Sequence, residues 1–227
     1  MCGRYALTQS PSAYADWFGV DAIKTEALEP NYNVAPTDPV YAVAEYDDER
    51  QLGVFRWGLL PWFSKDRRQA ARHINARIET VAQKASFKDS FATKRCLIPA
   101  DGFYEWERLG EDKGKLPHFI HADDDGPIAF AGLWATWKDP ETEEKVRTCT
   151  ILTGPPDATV KPLHDRMPVI LEPALWDGWL DLDLQDPDQV HKLLAGRKAV
   201  PLAEHAVSTL VNSVKNNLPE LIEPLRG

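Results

Sequence analysis

Cysteine is scarce in this chain, long apolar runs and internal repeats are missing, and each shortage removes a class of protein. The three cysteines, Cys2, Cys96 and Cys149, are odd in number and widely separated. They suggest neither a disulfide framework nor a paired-cysteine zinc motif. No stretch approaches the roughly 18 to 20 apolar residues of a membrane span, and the N-terminus lacks the basic and apolar regions of a signal peptide. The expectation is an intracellular protein, cytoplasmic or nucleoid-associated if bacterial, with no membrane partner. No repeat or low-complexity tract appears. Hydrophobic residues make up 43% and charged residues 27% of the 227 positions, which excludes a wholly disordered or fibrous chain. Surface scaling gives about 10,000 Å² folded against about 37,000 Å² unfolded, so roughly 70% of the surface is buried and one sizeable core is expected.

Positive charge is also in short supply, and what there is lies in one window. The net charge is −9, yet residues 51–100 carry ten Lys/Arg against Asp66, Glu79 and Asp89, a local balance of +7 that leaves −16 elsewhere. Block composition alone describes a solvated basic surface equally well. The aromatic residues Phe55, Trp57, Trp62 and Phe63 stand beside Lys65, Arg67 and Arg68, as a surface that stacks bases and neutralises phosphates requires.

Helix boundaries are legible. Ser10-Pro11 and Asp186-Pro187 each offer an N-cap followed by proline, and Gly19 and Gly196 mark the stops. Weaker helical patterns cover 86–95 and 172–181. Runs suited to strands occupy 40–46, 52–57, 96–107, 117–122, 128–137, 146–153, 167–171 and 205–211. Because strands and helices do not alternate, the pattern predicts an α+β fold: one domain over 1–227, with a curved, mainly antiparallel β-sheet or open barrel and peripheral helices. Polar stretches 47–50, 110–115 and 139–144 read as hairpin loops.

Four places in the sequence are able to carry chemistry. If Met1 is removed, Cys2 presents a thiol and a free α-amine on adjacent carbons. This 1,2-aminothiol condenses with an aldehyde to an imine and then closes a thiazolidine; no internal cysteine can do so. A Met-Cys start is also what an incidental second residue looks like. In an extended chain Asn75, Arg77 and Glu79 share one face, as strand-edge hydrogen bonding alone would also allow. Glu105, within Gly102-Phe103-Tyr104-Glu105-Trp106, is placed by strand alternation among aromatics. Desolvation there suits it to moving protons, or makes it a buried structural carboxylate. His164 sits in a loop before a strand and is either a proton carrier near neutral pH or an ordinary surface histidine.

Six ordered segments tie these positions together: Met1-Cys2-Gly3-Arg4-Tyr5, Asn31-Tyr32-Asn33-Val34-Ala35-Pro36-Thr37, Asn75-Ala76-Arg77-Ile78-Glu79-Thr80, Arg95-Cys96-Leu97-Ile98-Pro99-Ala100, Gly102-Phe103-Tyr104-Glu105-Trp106 and His164-Asp165-Arg166-Met167-Pro168. Together they resemble the signatures of the SOS response-associated peptidase (SRAP) family. The match runs from residue 1 to about 170, with a looser one over 207–216. The resemblance implies recognition of abasic sites in single-stranded DNA and covalent linkage to them, with cross-linking or lyase-type activity, autoproteolytic loss of Met1, a monomeric state, and no metal or organic cofactor. By position it assigns the aminothiol to Cys2, orientation of terminus and sugar to Asn75, proton transfer to Glu105 and sugar opening or reversal to His164. Arg4, Asn33, Trp62, Phe63 and Arg77 become DNA-facing. The family often has two tryptophans where this chain has Trp62-Phe63, so stacking there departs from the pattern. Cys96 and Cys149 are expected to pack in the core.

Other classes start similarly. A class II glutamine amidotransferase also begins Met-Cys-Gly, but its Arg-Gly-Pro-Asp and Asn-Gly-Glu patterns are missing. A cysteine peptidase would pair Cys2 with His164, and a noncovalent single-strand binder would need only the basic aromatic face.

Overall fold

The computed structural model describes residues 2–110 and 114–225. In chain order its strands are β1 (Tyr5–Leu7), β2 (Ala22–Ile23), β3 (Asn31–Val34), β4 (Pro39–Tyr46), β5 (Glu49–Trp57), β6 (Asn75–Arg77), β7 (Arg95–Ala100), β8 (Gly102–Arg108), β9 (Lys115–Ala122), β10 (Ile128–Lys138), β11 (Lys145–Gly154), β12 (Met167–Pro168) and β13 (Leu202–Ala206). Its helices are α1 (Pro11–Phe18), α2 (Lys88–Thr93), α3 (Trp176–Leu180) and α4 (Pro187–Ala195). The two capped helices form as their boundaries require. Ser10 Oγ accepts from Ala13 N–H, and Gly19 ends α1 at φ 60°, a left-handed conformation that glycine adopts without steric cost. The Asp186 carboxylate accepts from the N–H groups of Asp188 and Gln189 at the start of α4.

The expected curved, mainly antiparallel sheet curls until it meets itself. Strands run in the order β11, β10, β7, β4, β5, and a short parallel pairing of Thr148 with Arg56 and Cys149 with Trp57 joins β5 back to β11. Alternate side chains point into this barrel. Tyr5 fills the lumen, edge-on to Trp57 at 5.1 Å and to Phe130 at 5.8 Å. Small residues make room for these rings. At Gly132 an added Cβ would sit 2.8 Å from Cys96 Sγ. A second sheet, ordered β13, β9, β8, β1, β3, lies beside the barrel. Its other face buries Tyr104 and Phe119 against Val207, Val211 and Leu221 of the C-terminal segment.

Beside β11 the chain makes the excursion that builds the site. It leaves the edge of β11 at Gly58, whose N–H donates to Cys149 O, and returns at Ile74, whose carbonyl accepts from Ile151 N–H. The strand β6 then continues the parallel pairing with β11 that β5 began. The intervening loop carries Trp62 and Phe63.

Several sequence expectations need correction. The run 96–107 is two strands, broken at Asp101. That carboxylate accepts from Thr8 N–H, Thr8 Oγ1 and Tyr14 Oη, so the chain turns from barrel to second sheet there. The run 205–211 is β13 followed by a tight helical turn at Thr209–Asn212, because Ser208 Oγ caps Leu210 N–H. The run 167–171 contributes only β12 and an isolated bridge from Ile170 to Phe130. Strands β1, β2 and β3 are too short to show as patterned runs. Glu79 does not share a strand face with Asn75 and Arg77, because β6 ends at Arg77 and Thr80 N–H closes a turn onto its carbonyl. The hairpin turns at 47–50 and 139–144 are present; residues 111–113 of the third expected loop lie outside the described residues.

Candidate active site and nucleic-acid face

The segment before β1 is held from both sides. Tyr104 N–H donates to Arg4 O at 3.0 Å, and β1 pairs antiparallel with β8 through Tyr5–Phe103 and Ala6–Gly102. Continuing that register toward the terminus brings Gly3 opposite Glu105. Cys2 is fully buried against the end of the barrel, where Asn75 Nδ2 donates to its carbonyl oxygen at 2.7 Å. Asn75 opens β6 and is fixed by parallel pairing with Ile151, while its Oδ1 is buried with no hydrogen-bond partner. That atom is a buried acceptor with capacity for one more donor.

Glu105 is 3% exposed. Burial pushes its carboxyl above the ordinary range, and nearby His164 pulls in the opposite direction. Burial and, second, the Glu105 charge raise the Cys2 thiol well above its usual value. The imidazole is held by the loop between β11 and β12: Arg166 N–H donates to His164 Nδ1 at 3.0 Å, and Asp165 Oδ1 lies 2.8 Å from the same nitrogen. Cys2, Asn75, Glu105 and His164 thus come from four separate parts of the chain: Asn75 bonds the Cys2 carbonyl, Glu105 acts on the Cys2 thiol and His164 acts on Glu105. Among the described residues no group of three or more His, Cys, Asp or Glu side chains is arranged to hold a metal ion.

The DNA-facing candidates divide into two kinds. Arg4 and Asn33 are largely committed to the fold. One nitrogen of the Arg4 guanidinium donates to Asn33 Oδ1 at 2.7 Å and to Val211 O at 2.9 Å. Asn33 is buried, and its amide donates to the carbonyls of Val211, Ser213 and Asn216. Arg77, Trp62 and Phe63 face water. Trp62 is 75% and Phe63 44% exposed, and their rings meet edge-on at 5.6 Å. No hydrogen bond among the described residues links these two aromatics to Cys2.

The basic window also resolves into parts. Arg95 turns inward and donates to the carbonyls of Phe91, Ala92, Trp179 and Asp181, and burial lowers its pKa to about 10. Arg67 pairs with Asp139 and Glu144, and Arg68 pairs with Asp66. Lys65, Arg72, Arg77, Lys84 and Lys88 remain exposed. The window is thus a partly neutralised face, not a uniform one.

One feature was not legible as a contact. The Arg166 guanidinium grips Glu79 with two bonds, 2.6 and 2.9 Å, and also donates to Thr153 O at 2.6 Å. This ties the His164 loop to the turn after β6 and holds the Glu79 carboxylate below its ordinary range. Both residues stand in quoted motifs, but 87 positions separate them.

Comparison with known proteins identifies the family. The family model for SOS response associated peptidase (SRAP) matches residues 1–214. Abasic site processing protein YoqW of Bacillus subtilis (strain 168) is 42% identical over 224 residues, covering 98% of this chain and 99% of that protein. Abasic site processing protein YedK of Escherichia coli (strain K12) is 31% identical over 233 residues, covering 99% and 100%. Abasic site processing protein HMCES of Gallus gallus is 32% identical over 266 residues, covering 99% of this chain and 78% of that protein. A crystal structure of a protein from Bacteroides thetaiotaomicron superposes with a TM-score of 0.85 at 23% identity, covering 99% and 100% of the two chains, which supports the fold. With the whole of the site inside the matched region, the chain belongs to the SRAP family.

Proposed function

We propose that the protein processes abasic sites in single-stranded DNA by linking Cys2 covalently to the lesion, with residues 1–227 acting as one monomeric SRAP domain. The observation that carries this reading is the placing of Cys2: buried at the barrel end, its carbonyl held by Asn75, with Glu105 acting on its thiol and His164 acting in turn on Glu105. Once Met1 is removed, the α-amine attacks the C1′ aldehyde of the ring-opened sugar, giving a carbinolamine. Loss of water yields the imine. The thiol then adds to the imine carbon as nitrogen takes up a proton, so that aminothiol and aldehyde become thiazolidine and water.

The electrostatics favour this order. A thiol raised by burial and by the Glu105 carboxylate stays protonated near neutral pH, so the amine is the first nucleophile. Glu105, itself raised, takes the thiol proton at ring closure and supplies one to the departing water. His164 assists sugar opening and reversal, and the open acceptor of Asn75 receives a sugar hydroxyl. Arg77 neutralises phosphate and Trp62 with Phe63 stacks neighbouring bases, while Asn33 acts through Arg4. A missing base leaves nothing to read at the lesion, so phosphate contact and stacking carry recognition.

Incubation with abasic, intact and uracil-containing single strands tests the reading. The expected result is a denaturation-resistant adduct with the abasic strand alone, mapped to Cys2. An adduct mapped to Cys96 or Cys149, or none with any strand, overturns it.

A further inference from the structure

The barrel has a second end. Where the β4–β5 and β10–β11 hairpins diverge, opposite the Cys2 end along β11, the lumen opens into a cavity of about 480 Å³. Its aromatic lining is Phe55, Trp134 and exposed Tyr46, the first two edge-on at 5.9 Å. Cations lie over both rings: Arg147 is 5.4 Å from the Phe55 centroid, and Lys94 is 5.4 Å from that of Trp134. In both cases the charged head itself lies over the ring; Arg147 is exposed and Lys94 half-buried. Lys145 adds another exposed cation at the rim, and Lys24, also at the rim, pairs with Glu49 at 3.4 Å.

This cavity is not isolated from the aromatic surface already described. A smaller hollow of about 220 Å³ runs between exposed Trp62 and Lys94, and Thr136 lines both cavities. Asp89 is the one carboxylate among the described residues lining either of them. In a chain of net charge −9, this is a local cationic groove floored with rings. Its chemistry suits phosphorylated nucleosides: flat faces for stacking and fixed positive heads for phosphate.

We infer that the groove from Trp62 to Lys145 and Arg147 binds the single strand beyond the nucleotide held at Cys2, extending the footprint along the barrel wall. The inference rests on the nucleic-acid reading proposed above and shares Trp62 with it, but Lys94, Lys145 and Arg147 take no part in that reading. Free nucleotides share the ligand chemistry, and continuity with Trp62 favours the strand.

The test compares wild type, the double variant Lys145→Gln/Arg147→Gln and the charge-conserving Lys145→Arg/Arg147→Lys. Fluorescence anisotropy is read with intact thymidine strands of about 4 and about 16 nucleotides, the range of single-strand site sizes, across a salt series. Wild type is expected to bind the long strand more tightly. The glutamine variant should lose most of that advantage and flatten the salt dependence for the long strand by about 1.4, at about 0.7 per lost phosphate contact. The charge-conserving variant should retain both.

Identical long-strand affinity and salt slope in wild type and the glutamine variant would overturn the groove. So would binding of thymidine monophosphate that saturates it as tightly as the long strand. Cross-linking of a short abasic strand, run alongside, separates the two readings. If wild type fails to cross-link while the glutamine variant still loses length dependence, the Cys2 chemistry falls and the groove stands.

Discussion

The three cysteines lie in one core at zero exposure, and burial raises all three thiols, yet the regions around them differ. Cys96 and Cys149 sit on barrel strands whose inward neighbours are apolar; beyond burial, the remaining influence on Cys96 is Cys149 itself. Cys2 precedes the first strand and meets a carboxylate and an amide contributed by two other strands. Hiding a thiol from water therefore does not make it reactive. In the proposed reaction, neighbours able to exchange protons, and an adjacent amine once Met1 is removed, separate the terminal region from the lumen.

The largest test of that contrast exchanges the cysteines' fates. Cys2→Ser keeps the amine but replaces the ring-closing sulfur, so the stable adduct should vanish from the intact-mass spectrum, leaving a species trapped only by reduction. Cys96→Ala and Cys149→Ala should cross-link at wild-type extent. Next in size is Glu105→Gln, which preserves shape while removing the proposed proton carrier. Cross-linking should slow by roughly 10² to 10⁴-fold, as measured by rapid quench across pH 5 to 9.

The same substitution should move stability the other way. A carboxyl whose folded pKa is raised stabilises the fold below its ordinary value, and that contribution is lost as pH rises through the folded value. Thermal melts should thus show Glu105→Gln gaining on wild type as pH climbs from the ordinary carboxylate range, then levelling off. A gain confined to acid pH would contradict the buried, raised carboxyl.

Smaller effects test how the reactive region is held. Glu79→Gln loosens the Arg166 grip on the His164 loop without touching the reacting atoms. Cross-linking should fall about tenfold through misplacement, and the pH profile should shift toward that of His164→Ala; an unchanged profile would mean the loop is positioned by other contacts. Arg77→Ala should lower the salt dependence of single-strand binding by about 0.7 while leaving adduct formation at saturating DNA unaltered. Smallest of all is Cys149→Ala, expected to reduce stability by about 1 kcal/mol as a lumen sulfur is deleted, with no chemical consequence.

Much of the architecture could be read along the chain. Ser10-Pro11 with Gly19 and Asp186-Pro187 with Gly196 encode their helices locally, because caps and φ preferences act over a few residues. The long alternating strands β4, β5, β10 and β11 were legible for the same reason. The short strands β1, β2 and β3 were not, since pairing partners rather than pattern create them. The turn at Glu79 escaped for a related reason: an extended reading of 73–80 has no means of knowing that β11 ends its pairing with β6 at Thr153.

At the site, residue identity was available early and mutual arrangement was not. The sequence by itself determined that Cys2 is an aminothiol once Met1 is gone, that Glu105 alternates with aromatics, and that basic charge gathers in one window. Tertiary structure decided which of those cations reach solvent. It buried Arg95 against carbonyls, paired Arg67 and Arg68 with acids, and left Arg77 exposed. It also closed the barrel, brought Asn75 onto the Cys2 carbonyl and joined Glu79 to Arg166 across 87 positions. The division follows from range: propensity and charge are properties of neighbouring residues, whereas desolvation and hydrogen-bond geometry depend on groups that only the folded chain brings together.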